Sequence, residues 1–128
     1  MSFIPANPNP CGSYVGDCVV RALSIALGQS WQETYIELSI QGLALCDMPS
    51  ANKVWGELLK SYGFHRHIIP DTCPQCYTIN DFAGEHFKGT YIVCTGTHVC
   101  TIIDGNVYDS WNSLDEQPIF YWSKDEED

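Results

Sequence analysis

Cys18 stands in the segment Gly16-Asp17-Cys18-Val19-Val20-Arg21, just ahead of a run whose apolar residues recur at helical spacing. A thiol in the first turn of a helix lies among backbone N–H groups that have no acceptor within the helix. Their partial positive charge stabilises a thiolate. The thiolate is the nucleophilic form, so this position favours attack on a carbonyl carbon at neutral pH. Gly16 leaves space for substrate or backbone to approach. Cysteine also serves as a small core residue, and that plainer role is assigned to Cys11, Cys46, Cys94 and Cys100. Cys100 is the nearest competitor because it can share the face of His98, but in mid-strand it lacks the helix end.

A nucleophilic thiol needs a base. The stretch from Gly96 to Trp111 reads GTHVCTIIDGNVYDSW, two β-rich runs around Asp104-Gly105-Asn106. A two-residue turn at Asp104-Gly105 sets Ile103 opposite Asn106, hence Cys100 opposite Asp109 and His98 opposite Trp111. Cross-strand partners share a face, so all four of these side chains point the same way. A three-residue loop would instead bring Asn112 or Tyr108 beside His98. The shorter turn suits Asp-Gly-Asn better, which makes Asp109 the preferred partner. A carboxylate holds an imidazole in one tautomer and leaves its other nitrogen to act as base.

Two resemblances bear on these residues. The segment GDCVVRALS resembles the one that opens the central helix of papain-like cysteine peptidases, with Val19 where that family usually has tryptophan. THVCTII resembles the strand that carries their histidine, and DSWN resembles their Asn-Ser-Trp-Gly segment, with Asp109 at the asparagine position. The resemblance implies Cys18 as nucleophile, His98 as general base and acid, Asp109 as orienting group and Trp111 as a shield over their hydrogen bond. The glutamine that donates to the oxyanion in that family falls at Gly12, so Asn9, Ser13 or Tyr14 would have to supply that donor beside the N–H of Cys18. Along nearly its whole length the chain also resembles a group of small proteins of phages and prophages in Firmicutes. Their shared pattern is GDCV.RA.S, then GTH.V..IDG..YD.WDS, then PIYYW.

Cys73-Pro74-Gln75-Cys76 is half of a tetrahedral zinc site. His65 and His67, two apart on a short strand, face one side and could complete a structural Cys₂His₂ set, with Cys46 as a further choice. The plainer reading is a turn with reduced, partly buried cysteines. A thioredoxin-type redox role fits less well, because Tyr77-Thr78 separates the CxxC from its helix.

The elements that must hold these side chains follow from pattern. Residues 1–16, rich in Pro, Asn and Gly, read as an irregular lead-in. A helix starts at Asp17, with Val19, Ala22, Leu23, Ala26 and Leu27 on its inner face and Gly28 closing it. Ser30 and Glu33 form a capping box for a second helix ending near Gly42, lined by Trp31, Tyr35 and Leu38, with Ile36 a further candidate. Pro49-Ser50 opens a third, with Val54, Trp55, Leu58, Leu59 and Tyr62 inward and Gly63 at its end. A short strand from Phe64 to Ile69 follows, then a short helix capped by Thr78 and running to about His86. Strands come last, at 91–95, 98–103, 107–111 and 119–122. Arg21 is read as facing solvent or pairing with an acid, His86 as a solvated helix end, and Trp55, Tyr62, Phe64, Phe82, Tyr91 and Tyr121 as core.

Helices first and an antiparallel sheet last make an α+β chain. The resemblance narrows this to a papain-like fold, N-terminal helices on a C-terminal twisted antiparallel sheet. One domain over residues 1–123 and an acidic tail at 124–128 are expected for 128 residues that are 45% hydrophobic. Sixteen Asp+Glu against six Lys+Arg give a net charge of −10, which disfavours nucleic acid and anionic lipid. With an odd cysteine count, no apolar span and no leader pattern, the expectation is reduced thiols in a cytoplasm, that of a bacterial host. The expected function is a thiol hydrolase, a peptidase, amidase or isopeptidase with a peptide or protein substrate. It needs no cofactor for catalysis, and no pattern sets its oligomeric state. The alternative is a catalytically inactive phage-encoded binding or inhibitor protein on the same frame, with or without zinc.

Overall fold

In a computed structural model, residues 2–70 and 77–124 are described. Their elements run β1 (Ser2–Pro5), α1 (Cys18–Leu27), α2 (Trp31–Leu45), α3 (Asn52–Ser61), β2 (His65–Ile68), α4 (Ile79–Glu85), β3 (Thr90–Cys94), β4 (Val99–Ile103), β5 (Asn106–Asp109) and β6 (Phe120–Ser123). The six strands form one sheet in the order β1-β5-β4-β3-β6-β2. The class is α+β as expected, with two differences. The lead-in is not wholly irregular, because Ser2–Pro5 lies parallel to β5, with Pro5 beside Asp109. The sheet is therefore mixed, since this edge is parallel and the other pairings are antiparallel. Phe3 and Ile4 were too short a run among prolines to signal a strand.

The helices also divide between the two faces. Val19, Ala22 and Leu23 of α1 and Trp55, Leu58 and Leu59 of α3 pack with Ile92, Cys94, Val99 and Trp122 on one face. Ile79, Phe82 and Ala83 of α4 pack with Val93, Cys100, Ile102 and Val107 on the other. Alternation along β3 and β4 explains the split, since neighbouring strand residues face opposite ways. Each large side chain buried here contributes ~1.5–3 kcal/mol of transfer free energy. Among the described residues no helix is long and apolar enough to cross a membrane.

Local signals set the ends. Gly28 takes φ 67° as the C-cap of α1, and the Ser30/Glu33 capping box is formed at α2. Thr78 and Asp81 make a second box at α4. Helix α2 runs three residues past Gly42, to Leu45, and its inward residues are Thr34, Leu38 and Gly42. Tyr35 and Ile36 are more than half exposed, so of the expected stripe Leu38 is buried, while Thr34 takes the inward place expected of Tyr35. His86 is half-buried rather than solvated: its ring stacks on Phe82 at 3.9 Å, and Nδ1 lies 2.9 Å from the Phe82 carbonyl.

Candidate functional site

The two-residue turn at Asp104-Gly105 forms with φ of 50° and 81°, the left-handed pair of a type I′ hairpin. Gly105 suits it because its φ lies where side-chain-bearing residues are strained. The register that follows is Ile103 opposite Asn106 and Ile102 opposite Val107. Continued, it sets Cys100 opposite Asp109, with His98 diagonal to Asp109 on the same face.

His98 lies just before β4, in the tight connection from β3. The Thr95 N–H donates to the His98 carbonyl at 2.9 Å, and Thr95 Oγ1 accepts from the His98 N–H at 3.1 Å. Held this way at the end of the sheet, the imidazole reaches residues of both faces. His98 Nε2 donates to Asp109 Oδ2 at 2.6 Å, which leaves Nδ1 for the Cys18 thiol, whose ionisation His98 favours. The backbone of Val99 favours the thiolate as well. Helix α1 is fixed against β4 by Thr101, whose Oγ1 donates to the Ala22 carbonyl at 2.6 Å. Trp111, nearly half exposed, lies with its ring 4.7 Å from the imidazole.

These contacts set the electrostatics. Burial disfavours the Cys18 thiolate, but the hydrogen bonds from His98 and Val99 and the charges of His98 and Arg21 outweigh it, and the thiol lies below its usual range. Burial likewise disfavours the imidazolium of His98. The hydrogen bonds to Asp109 and Cys18, with their charges, reverse the balance and lift its pKa to about 9. Each shift reports the same thiolate–imidazolium pair from one side. The rival thiols move the other way. Burial pushes Cys94 up to about 11, and burial together with Asp109 pushes Cys100 well above the thiol range.

The N-terminus of α1 is open. Asp17 is its N-cap residue but makes no side-chain cap, so the first N–H groups, that of Cys18 among them, are left for an oxyanion. The three candidate second donors are not aligned with it. Asn9 turns its amide to Asp17 Oδ2 at 3.3 Å, Ser13 is exposed, and Tyr14 is 77% exposed. An apolar hollow of about 380 Å³ flanks this end of α1, walled by Val15, Val19, Trp31, Tyr35 and Leu38.

Two groups of supporting residues escaped the sequence reading. Ser113, fully buried, donates from Oγ to Asp109 Oδ2 at 2.6 Å, and the Ser110 N–H donates to Oδ1 at 2.8 Å. Asp17 is buried in an ion pair with Arg21 and also accepts from Trp31 Nε1 at 2.9 Å. Of the two readings of Arg21, pairing with an acid is the one observed. No spacing announced the Ser113 contact, whereas the i, i+4 spacing of Asp17 and Arg21 was a usable signal for their ion pair.

The proposed zinc ligands are only partly described. His65 and His67 stand on β2, and the His67 ring stacks on Tyr121 at 4.8 Å. Cys73 and Cys76 lie outside the described residues, and Cys46 is exposed at the end of α2. Among the described residues no three His, Cys, Asp or Glu side chains gather as a metal site.

A sulfur, an imidazole and a carboxylate in series can perform nucleophilic acyl transfer. Compared with family models, curated proteins and solved structures, the chain matches none.

Proposed function

We propose that the chain is a papain-like thiol hydrolase whose catalytic residues are Cys18, His98 and Asp109. This reading is carried by His98 standing on Asp109 Oδ2 at 2.6 Å with Cys18 opening α1, and it is supported by the lowering of the Cys18 thiol in spite of its burial, His98 being the principal favourable partner. A buried structural cysteine moves upward instead, as Cys94 does.

In the first step the Cys18 thiolate adds to an amide or isopeptide carbonyl carbon, and the oxyanion forms against the open end of α1. Collapse breaks the C–N bond, and the proton on His98 passes to the departing amine, leaving a thioester. Neutral His98 then takes a proton from water, the hydroxide adds to the thioester, and the carboxylic acid departs as the thiolate–imidazolium pair is restored. Asp109 keeps Nδ1 aimed at the sulfur throughout. The apolar hollow beside α1 favours a peptide or protein substrate with an aliphatic or aromatic side chain near the cleaved bond. The setting we infer, a bacterial host cytoplasm, draws on the resemblance to phage proteins and suits a mechanism that needs a reduced thiol.

A second reading, an inert binding protein on the same frame, draws on Asn9, whose amide is already turned to Asp17 rather than offered to an oxyanion. A peptidyl acyloxymethyl ketone separates the two. The hydrolase reading predicts a covalent adduct on Cys18 in the native protein and none with Cys18→Ser. Failure of the native chain to form that adduct with a panel of apolar peptide probes rejects it.

A further inference from the structure

The chain has six Lys+Arg against sixteen Asp+Glu, yet three of the six line one hollow of about 310 Å³ at the β2/β6 edge of the sheet. Lys53 and Lys60 reach it from one face of α3, together with Gly56 and Glu57, and Arg66 reaches it from β2. Spacings of three, four and seven along a helix put all four α3 residues on one side.

Several independent features make this hollow electropositive. The Arg66 guanidinium lies over the Phe120 ring at 4.2 Å, which fixes the fork while its N–H edge stays available in plane. Neither Arg66 nor Lys53 enters an ion pair among the described residues. Glu57 is the one acid in the lining, and Lys60 Nζ already donates to it at 3.2 Å. Ala51, the N-cap of α3, offers no side-chain cap, and the first turn carries no acid, so the partial positive charge of that helix end is unopposed.

Trp122 forms the back of the hollow and is 3% exposed; its indole Nε1–H is buried and has no hydrogen-bond partner among the described residues. Its Cζ2 edge lies against Gly56, where a Cβ would come within 3.0 Å, so the absence of a side chain at 56 keeps the indole and the hollow in contact.

We propose that this hollow binds a small, multiply charged oxyanion, a soluble ligand bearing a diphosphate group, held by Arg66, Lys53 and Lys60 against the Trp122 indole. It lies at the far edge of the sheet from β5 and Asp109, so its occupant does not compete with a substrate at Cys18. The test follows the four indole N–H signals of the full-length chain by NMR as inorganic pyrophosphate is added at low salt. The Trp122 signal should move saturably, ahead of those of Trp31, Trp55 and Trp111. Lys53→Gln with Arg66→Gln should weaken binding by more than about tenfold. Lys88→Gln with Lys124→Gln, which removes the same charge elsewhere, should change it by less than about twofold. Arg66→Lys keeps the charge but loses the fork, and should weaken binding several-fold in a chain whose spectrum stays dispersed. An unmoved Trp122 signal at high millimolar pyrophosphate overturns the proposal, as does equal weakening by the two double variants.

Discussion

Asp109 Oδ2 accepts two hydrogen bonds of 2.6 Å, one from His98 Nε2 and one from Ser113 Oγ. Because the carboxylate is pinned from both sides, the imidazole it holds has one orientation. Asp109→Asn removes the charge and keeps the shape. The pKa of His98, about 9 in the native chain, should fall markedly in this variant when followed by the ring nitrogen shifts in NMR. An unchanged titration would mean that Asp109 does not sustain the imidazolium.

Ser113 has no exposed surface and gives its hydroxyl to Asp109. Ser113→Ala should therefore lower unfolding stability by about 2 kcal/mol, the scale of a buried hydrogen bond to a charged group. Urea denaturation measures this. A loss within a few tenths of a kcal/mol would show that water or another donor replaces the hydroxyl.

Arg21→Ala leaves the Asp17 carboxylate buried without its cation. Loss of one partner of a buried pair typically costs ~3–5 kcal/mol. Trp31 and Asn9 still donate to Asp17, so the lower end of that range is expected from urea midpoints. Trp31→Phe, which removes a single neutral donor, should cost less.

The dependence of stability on pH has opposite signs for the two members of the pair. The folded pKa of His98, about 9, lies above its ordinary 6.5. Its contribution is therefore complete below pH 6.5 and is lost as pH rises through about 9. The Cys18 thiol is lowered, so its contribution is present above the ordinary thiol range and is lost as pH falls through its folded value. Between those limits the slopes oppose each other in the native chain. Cys18→Ala removes one of them, and unfolding free energy should then fall with rising pH from about 6.5 upward, in a chain whose native counterpart is flatter over the same interval. A Cys18→Ala profile as flat as the native one would contradict the coupling.

Much of the site was legible because it depends on local rules. Asp104-Gly105 dictates a two-residue turn, the turn dictates the register, and the register brings Asp109 to the His98 side of β5. Cys18 opening α1 followed from the Val19, Ala22 and Leu23 stripe and from Gly28. What was not legible depends on tertiary arrangement. The pairing of β1 with β5 joins segments about a hundred residues apart and leaves no periodic trace in four residues. The covering of the second face by α4 depends on a crossover through β2. Ser113 lies in a polar connection, where nothing distinguishes a buried hydroxyl from a solvated one. Arg21 was ambiguous because one position on a helix cannot disclose whether its surroundings are wet.

The most direct measurement of the account is site-resolved alkylation by iodoacetamide at pH 6, with each cysteine quantified by mass spectrometry. The thiolate fraction rises about tenfold for each unit by which a thiol pKa falls, only partly offset by weaker nucleophilicity. Half-buried Cys18 should therefore be modified several-fold faster than exposed Cys11 and Cys46, and His98→Ala should abolish that preference. Modification of Cys18 no faster than of Cys11 and Cys46, or a preference that survives His98→Ala, would contradict the thiolate–imidazolium pair.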